Sequence, residues 1–151
     1  EFAEVYNLLE SHGIKCDPEG TDIGSSIFAM MPGDGSAREQ AASCQRVLGA
    51  SANFAKQYAT KRYRSNCINW GMVPFIIEDP SILQLNDYVF VPGIRQAIID
   101  NTDKIKAYRV RKSSEDDKSF EIKEFEVSTG ALTADERQII IDGCLINYYK
   151  H

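Results

Sequence analysis

The chain is short of most features that name a function at sight. No apolar run approaches the ~20 residues that a membrane helix needs, and nothing resembles a signal peptide. Cys16, Cys44, Cys67 and Cys144 are scattered without a C-x-x-C pair. That excludes a sequence-local metal knuckle or a disulfide framework, and reads as reduced, mostly buried thiols in a cytoplasmic setting. Positive charge is in deficit, with 17 Lys and Arg against 22 Asp and Glu and a net charge of −5. Such a balance argues against a dedicated nucleic-acid binder. Internal repeats, low-complexity tracts and linkers are also missing, so the 151 residues read as one domain, 1–151. The opening Glu1-Phe2, without methionine, reads as an excised piece of something longer.

What is present is an alternation of strand and helix signals. Phe2, Val5, Tyr6 and Leu9 recur at helical spacing and Gly13 is placed to end that helix, with His12 a surface residue in its last turn. Ser26–Met31 reads as a first buried strand, and Ala52–Ala55 as a short second one. Tyr58 to Gly71 reads as a helix, followed by a buried strand over 73–77. Asp87–Val91 is a further strand and Ile94–Ile99 a short helix. Ile105–Val110 and Phe120–Val127 pair through the charged loop Ser113–Lys118. The shift from Phe120, Ile122 to Phe125, Val127 predicts a β-bulge. Thr133 and Glu136 form a capping box that opens a helix running through Tyr148.

The chain is organised around Pro32-Gly33-Asp34-Gly35-Ser36-Ala37-Arg38-Glu39-Gln40. It lies between the first strand and an alanine-rich helix whose predicted inner face is Ala37, Ala41, Cys44 and Leu48, with Ala42 and Val47 alongside. Two glycines let backbone approach whatever sits above the turn. Ser36 stands at the expected N-cap, with Glu39 three residues on. Free first-turn N–H groups, the helix dipole and the planar fork of Arg38 make this corner a site for an anion, a carboxylate above all. Ser36 as a mere helix cap remains the competing reading.

Three ordered blocks then carry a family resemblance. Gly33-Asp34-Gly35-Ser36-Ala37-Arg38-Glu39, Ala55-Lys56-Gln57-Tyr58-Ala59 and Ser65-Asn66-Cys67-Ile68-Asn69-Trp70-Gly71-Met72-Val73-Pro74 resemble the C-terminal swivel domain of the aconitase superfamily. Its pattern is a G-x-G-S-S-R-E turn, an A-K-S-F-A-like strand end and a T-N-x-x-x-x-G-x-L-P-like stretch, in this order. The tail Leu132–Tyr149 is similar as well. The resemblance implies an α/β fold, a swivelling β/β/α domain with a central mixed sheet flanked by helices. It implies a hydro-lyase acting on a small hydroxy di- or tricarboxylic acid. Ser36 would be the catalytic base and Arg38 the carboxylate clamp, with Gly35, Ser36, Ala37 and Arg38 as the substrate-binding set. No cofactor is expected on this chain; a 4Fe–4S cluster is expected on partner domains of the same or another chain.

The chain departs from that pattern at several points. Ala37 replaces the family's second serine and Gln40 its following histidine. Thr60–Arg64 is one residue longer than the usual A-R-I-H-x stretch. The small subunit of isopropylmalate dehydratase shares the domain, but its D-x-x-T-D-like segment is poorly matched by Asp17–Asp22. An excised C-terminal domain of a single-chain hydratase fits better. Two other classes stay open: a non-catalytic partner or regulatory domain on the same scaffold, and RNA binding. The ingredients for RNA are Lys56, Lys61, Arg62 and Arg64 with Tyr58 and Tyr63 between them. Net acidity and the lack of an RNP-like block weigh against that last reading. Trp70 is read as core or interdomain contact.

Overall fold

The computed structural model describes residues 2–113 and 119–150. Its strands are β1 (Ser25–Ala29), β2 (Ala50–Ala55), β3 (Val73–Ile76), β4 (Tyr88–Phe90), β5 (Lys104–Lys112) and β6 (Phe120–Ser128). The helices are α1 (Phe2–Ser11), α2 (Arg38–Val47), α3 (Lys61–Asn69), α4 (Ile94–Ile99), α5 (Ala134–Asp142) and α6 (Leu145–Tyr148). The strands form one six-stranded sheet in the order β1-β2-β3-β6-β5-β4. β1, β2 and β3 are parallel, while β6, β5 and β4 each run antiparallel to the preceding neighbour. This is the α/β class, with a central mixed sheet flanked by helices. Among the described residues no helix is long and apolar enough to cross a membrane.

Parallel neighbours need crossover connections, and α2 and α3 supply them. Both lie on the face of β2 that carries Asn53, whose Nδ2 donates to the Tyr63 hydroxyl of α3 at 3.0 Å. Ala42, Tyr63, Cys67 and Met72 are buried in that layer. Phe54, one residue along, points to the other face and stacks on Phe75 at 5.2 Å between ring centroids. There it joins Ile98, Ile105, Ala107 and Val127 in the main core. β3 and β6 share a single bridging pair, Ile76 with Ser128, so this core joins the two halves of the sheet more than the ladder does.

The described structure corrects several sequence expectations. The register of β5 with β6 is unbroken from Lys104↔Ser128 to Lys112↔Phe120, so there is no β-bulge in the pair. The apolar pattern shifts because the strands change which face they bury. Phe120 and Ile122 pack with Val110 under Val5 and Leu9 of α1, whereas Phe125 and Val127 face the main core. Most of the charged loop between these strands lies outside the described residues.

β1 is an edge strand and not a buried one: Phe28 is exposed, as are Met30 and Met31 just beyond it. α2 is rotated from its expected setting. Ala37, Ala41, Cys44, Val47 and Leu48 are all exposed, and of the alanine-rich face only Ala42 is buried. Arg38, Ala42 and Gln45 share the inward stripe instead, because Gln45 has a polar partner there in Tyr63. The thiols follow suit, with Cys67 buried but Cys44 exposed.

α3 begins at Lys61 and not at Tyr58, capped by the Thr60 side chain, which accepts from the Tyr63 N–H at 3.2 Å. The Thr133–Glu136 capping box is present in full. Its helix stops at Asp142, however, where Gly143 adopts φ +88° and the chain restarts as α6. A Cβ on Gly71 would fall 1.8 Å from the Gly143 carbonyl oxygen, so the two helix ends meet backbone to backbone.

Candidate functional site

In a parallel sheet, the loops that leave the carboxyl ends of the strands are where ligands gather. Here those loops, after β1 and after β2, are tied to each other. Gln57 N–H donates to the Met30 carbonyl at 3.2 Å and Ala59 N–H to the Pro32 carbonyl at 3.0 Å. Thr60 Oγ1 reaches the Gly33 carbonyl at 3.4 Å. Gly33 has φ +97°, and a Cβ there would stand 2.4 Å from Cγ of Tyr63. Only glycine meets both conditions without rearrangement. Gly35 differs, since a Cβ there would meet nothing within 4 Å, leaving that side of the turn open to a ligand.

Tyr63 is the fixed surface under the turn. It is 1% exposed, and its hydroxyl accepts from Gln45 Nε2 at 2.8 Å and from Asn53 Nδ2 at 3.0 Å. α2, α3 and β2 thus share one buried polar node. Burial raises the Tyr63 hydroxyl pKa above its ordinary value and pushes the adjacent Cys67 thiol up to about 11, so neither ionises near neutrality. Tyr58 is turned inward as well and donates to the Phe75 carbonyl at 2.9 Å. Tyr63 is thus buried and Tyr58 partly so, and both hydroxyls are engaged inside the fold.

The node brings the starts of α2 and α3 side by side around a cavity of about 520 Å³, lined by Ser36, Ala37, Arg38, Glu39, Gln40, Arg62 and Asn66. Three of the four expected substrate-binding residues, Ser36, Ala37 and Arg38, line it; Gly35 adjoins them in sequence. One expectation fails. Ser36 is not the N-cap: that position is Ala37, with no side-chain cap, and the Ser36–Glu39 capping box does not form. The chain is still non-helical at Ser36, and among the described residues its hydroxyl has no hydrogen-bond partner.

Neither Arg62 nor Asn66 is among the expected substrate-binding residues; on sequence, Arg62 counts only as part of the basic stretch weighed for RNA. The signal that places them is Thr60, a helix-capping residue shortly after the end of β2. It sets Arg62 in the first turn of α3, at the carboxyl edge of the sheet.

Charge pairing picks out the same place. Of the arginines, Arg46 donates to the Ala50 carbonyl, Arg95 to that of Ile141 and Arg137 to that of Ile99. Arg64 holds the carbonyls of Thr129 and Ala131 and pairs with Glu136. Arg109 pairs with Glu121 and Arg111 with Asp87. Among the described residues only Arg38 and Arg62 have no partner, and both line the cavity. The Nε of Arg38 is shielded from solvent without an acceptor. A guanidinium is always charged, so two unmatched forks in an acidic chain set up a local positive field open to an anionic ligand.

The thiols do not meet there. Cys44 lies on α2, Cys67 on α3, Cys16 after α1 and Cys144 between α5 and α6. No group of three or more His, Cys, Asp or Glu side chains among the described residues is placed to hold a metal ion. No family model matches this chain, and no curated protein sequence does.

Proposed function

We propose that this chain is the swivel domain of an aconitase-family hydro-lyase. On this reading it supplies a serine base and a carboxylate-binding arginine for hydration and dehydration of a small hydroxy di- or tricarboxylic acid. The observation that carries the reading is the conjunction at the carboxyl ends of β1 and β2. Among the described residues the Ser36 hydroxyl has no hydrogen-bond partner, and it stands two residues from an arginine without an acceptor, at the start of a helix.

The chemistry follows from those groups. Arg38 holds one carboxylate through two parallel N–H···O bonds. Ser36 Oγ takes the proton from the carbon next to that carboxylate. The freed electron pair becomes the carbon–carbon double bond, and the hydroxyl leaves the neighbouring carbon. A serine hydroxyl takes this part only when its ionised form is stabilised, which the α2 N-terminus and the adjacent guanidiniums favour.

A 4Fe–4S cluster held by a partner domain would supply the Lewis acid for the departing hydroxyl. The thiols of this chain do not fit such a cluster, and no step here runs through one. Met30 and Met31, 57% and 51% exposed beside the turn, offer an apolar rim for a cluster-bearing domain to cover. A cytoplasmic setting belongs to the same proposal. The runner-up, a non-catalytic partner domain, would use that rim and leave Ser36 idle.

The discriminating experiment is Ser36→Gly in the assembled hydratase, with its cluster-bearing domains. Because Ser36 does not cap α2, the substitution leaves the helix start intact. Turnover of the hydroxy acid should fall by ~10²–10⁴, in the range of a lost general base. Near wild-type turnover would leave this domain a partner without catalytic duty.

A further inference from the structure

We infer that the corner has a second arm, Arg62 with Asn66, and that this chain by itself binds both ends of a small dicarboxylate. The inference rests on reading the corner as a carboxylate site, and it adds residues that the family pattern does not assign.

The argument is one of unmet valence. Arg62 sits in the first turn of α3 and Arg38 opens α2, and both line one cavity. One carboxylate satisfies one guanidinium fork in the bidentate mode. A single acid group would thus leave the other fork still unmatched. Glu39 also lines the cavity, but among the described residues it pairs with neither guanidinium, so both forks stay open. A dianion satisfies both forks where a monoanion satisfies one.

The remaining features agree. The site is an open, solvent-exposed depression of about 520 Å³, with room for more than one carboxylate. Asn66 lies one turn after Arg62 on the same helical stripe, and its amide can donate and accept beside a bound acid. Arg64, only two residues from Arg62, shows what a structural arginine does here: it closes on two carbonyls and Glu136. Arg62 is exposed and closes on nothing among the described residues. The tie of the two loops through Tyr63 and Gly33 fixes the helix starts in place before any ligand arrives, which lowers the ordering cost of binding.

The test uses the chain alone. Succinate and propionate are titrated at matched ionic strength and followed by the amide resonances of 36–40 and 62–66. Wild type should bind succinate about tenfold or more tighter than propionate, the scale of one added charge-assisted contact. Arg62→Gln should remove that preference, weakening succinate far more than propionate. Arg62→Lys, which keeps the charge and loses the fork, should fall between. Arg38→Gln should weaken both acids.

Equal binding of the two acids by wild type, no binding of either, or an Arg62→Gln protein with its preference intact would overturn the inference. Succinate has no hydroxyl to lose, so these outcomes are independent of the turnover test on Ser36. A one-armed corner could still be catalytic, and a two-armed corner could still be a binding site only.

Discussion

The arginines of the two halves of the sheet are treated in opposite ways at β5 and at the starts of α2 and α3. In the antiparallel half, β4 to β6, Lys104, Lys106, Arg109 and Arg111 each have an acidic partner. Arg111 and Asp87 form two bonds of 2.7 Å, with the Asp87 side chain 3% exposed. In the parallel half, the helix starts after β1 and β2 carry Arg38 and Arg62 with no partner among the described residues. Both halves belong to one fold and share one core. The difference teaches where charge serves the fold and where it is kept for something outside the chain. A paired charge contributes to folding and is finished; an unpaired one, fixed in place by backbone and a buried tyrosine, retains its affinity.

The sharpest way to break the comparison is to exchange the roles in a stability measurement. Arg111→Gln strips a buried carboxylate of its counter-charge and should cost about 3 kcal/mol in urea unfolding. Arg38→Gln, by contrast, should stay within about 0.5 kcal/mol of wild type. If Arg38→Gln proved as costly as Arg111→Gln, the corner would be structural and the contrast would vanish.

A smaller effect is expected at the node beneath the corner. Tyr63→Phe keeps the ring that supports Gly33 but leaves the buried amides of Gln45 and Asn53 without their shared acceptor. The loss should be about 1–3 kcal/mol. Amide shifts at Gly33 and Ala59 should report loosening of the loops. A Tyr63→Phe protein with unaltered stability and shifts would show that the hydroxyl does not hold the corner.

The smallest effect belongs to the exposed cross-strand pairs. Lys106 and Glu124, 3.4 Å apart and well solvated, are worth at most about 0.5 kcal/mol. Lys106→Ala should therefore barely move the urea midpoint, and 1 M salt should erase what difference there is. A salt-resistant loss of more than that would mean that the pair is part of the packing of β5 on β6.

How far all this was legible in the chain differs from element to element. Local chemistry was readable where one residue type fixes the backbone. Thr133 with Glu136 marked its helix start, Gly33 the bend after β1, and Ile94–Ile99 its helix from end to end. Period-2 alternation locates β5 and β6, but its shift at Phe125 marks a change of buried face and not a bulge. A strand can bury one face at one end and the other face at the other, and alternation alone cannot show which layer lies above it.

The α/β class with a mixed sheet is what the family resemblance implies; the sequence by itself determined the alternation of strands and helices and a glycine-rich corner that carries Ser36 and Arg38. Those follow from short-range causes: residue period, glycine at positive φ, capping side chains. Only the tertiary structure decided that Ser36 is not the cap of α2. It also decided that α2 turns Arg38, Ala42 and Gln45 inward and leaves Ala37 and Ala41 exposed, and that Arg62 joins Arg38 at one cavity. The physical reason is that these depend on partners far along the chain. Gln45 turns in because Tyr63 waits there, and Arg62 is left free because no acidic side chain among the described residues pairs with it, although Glu39 lines the same cavity.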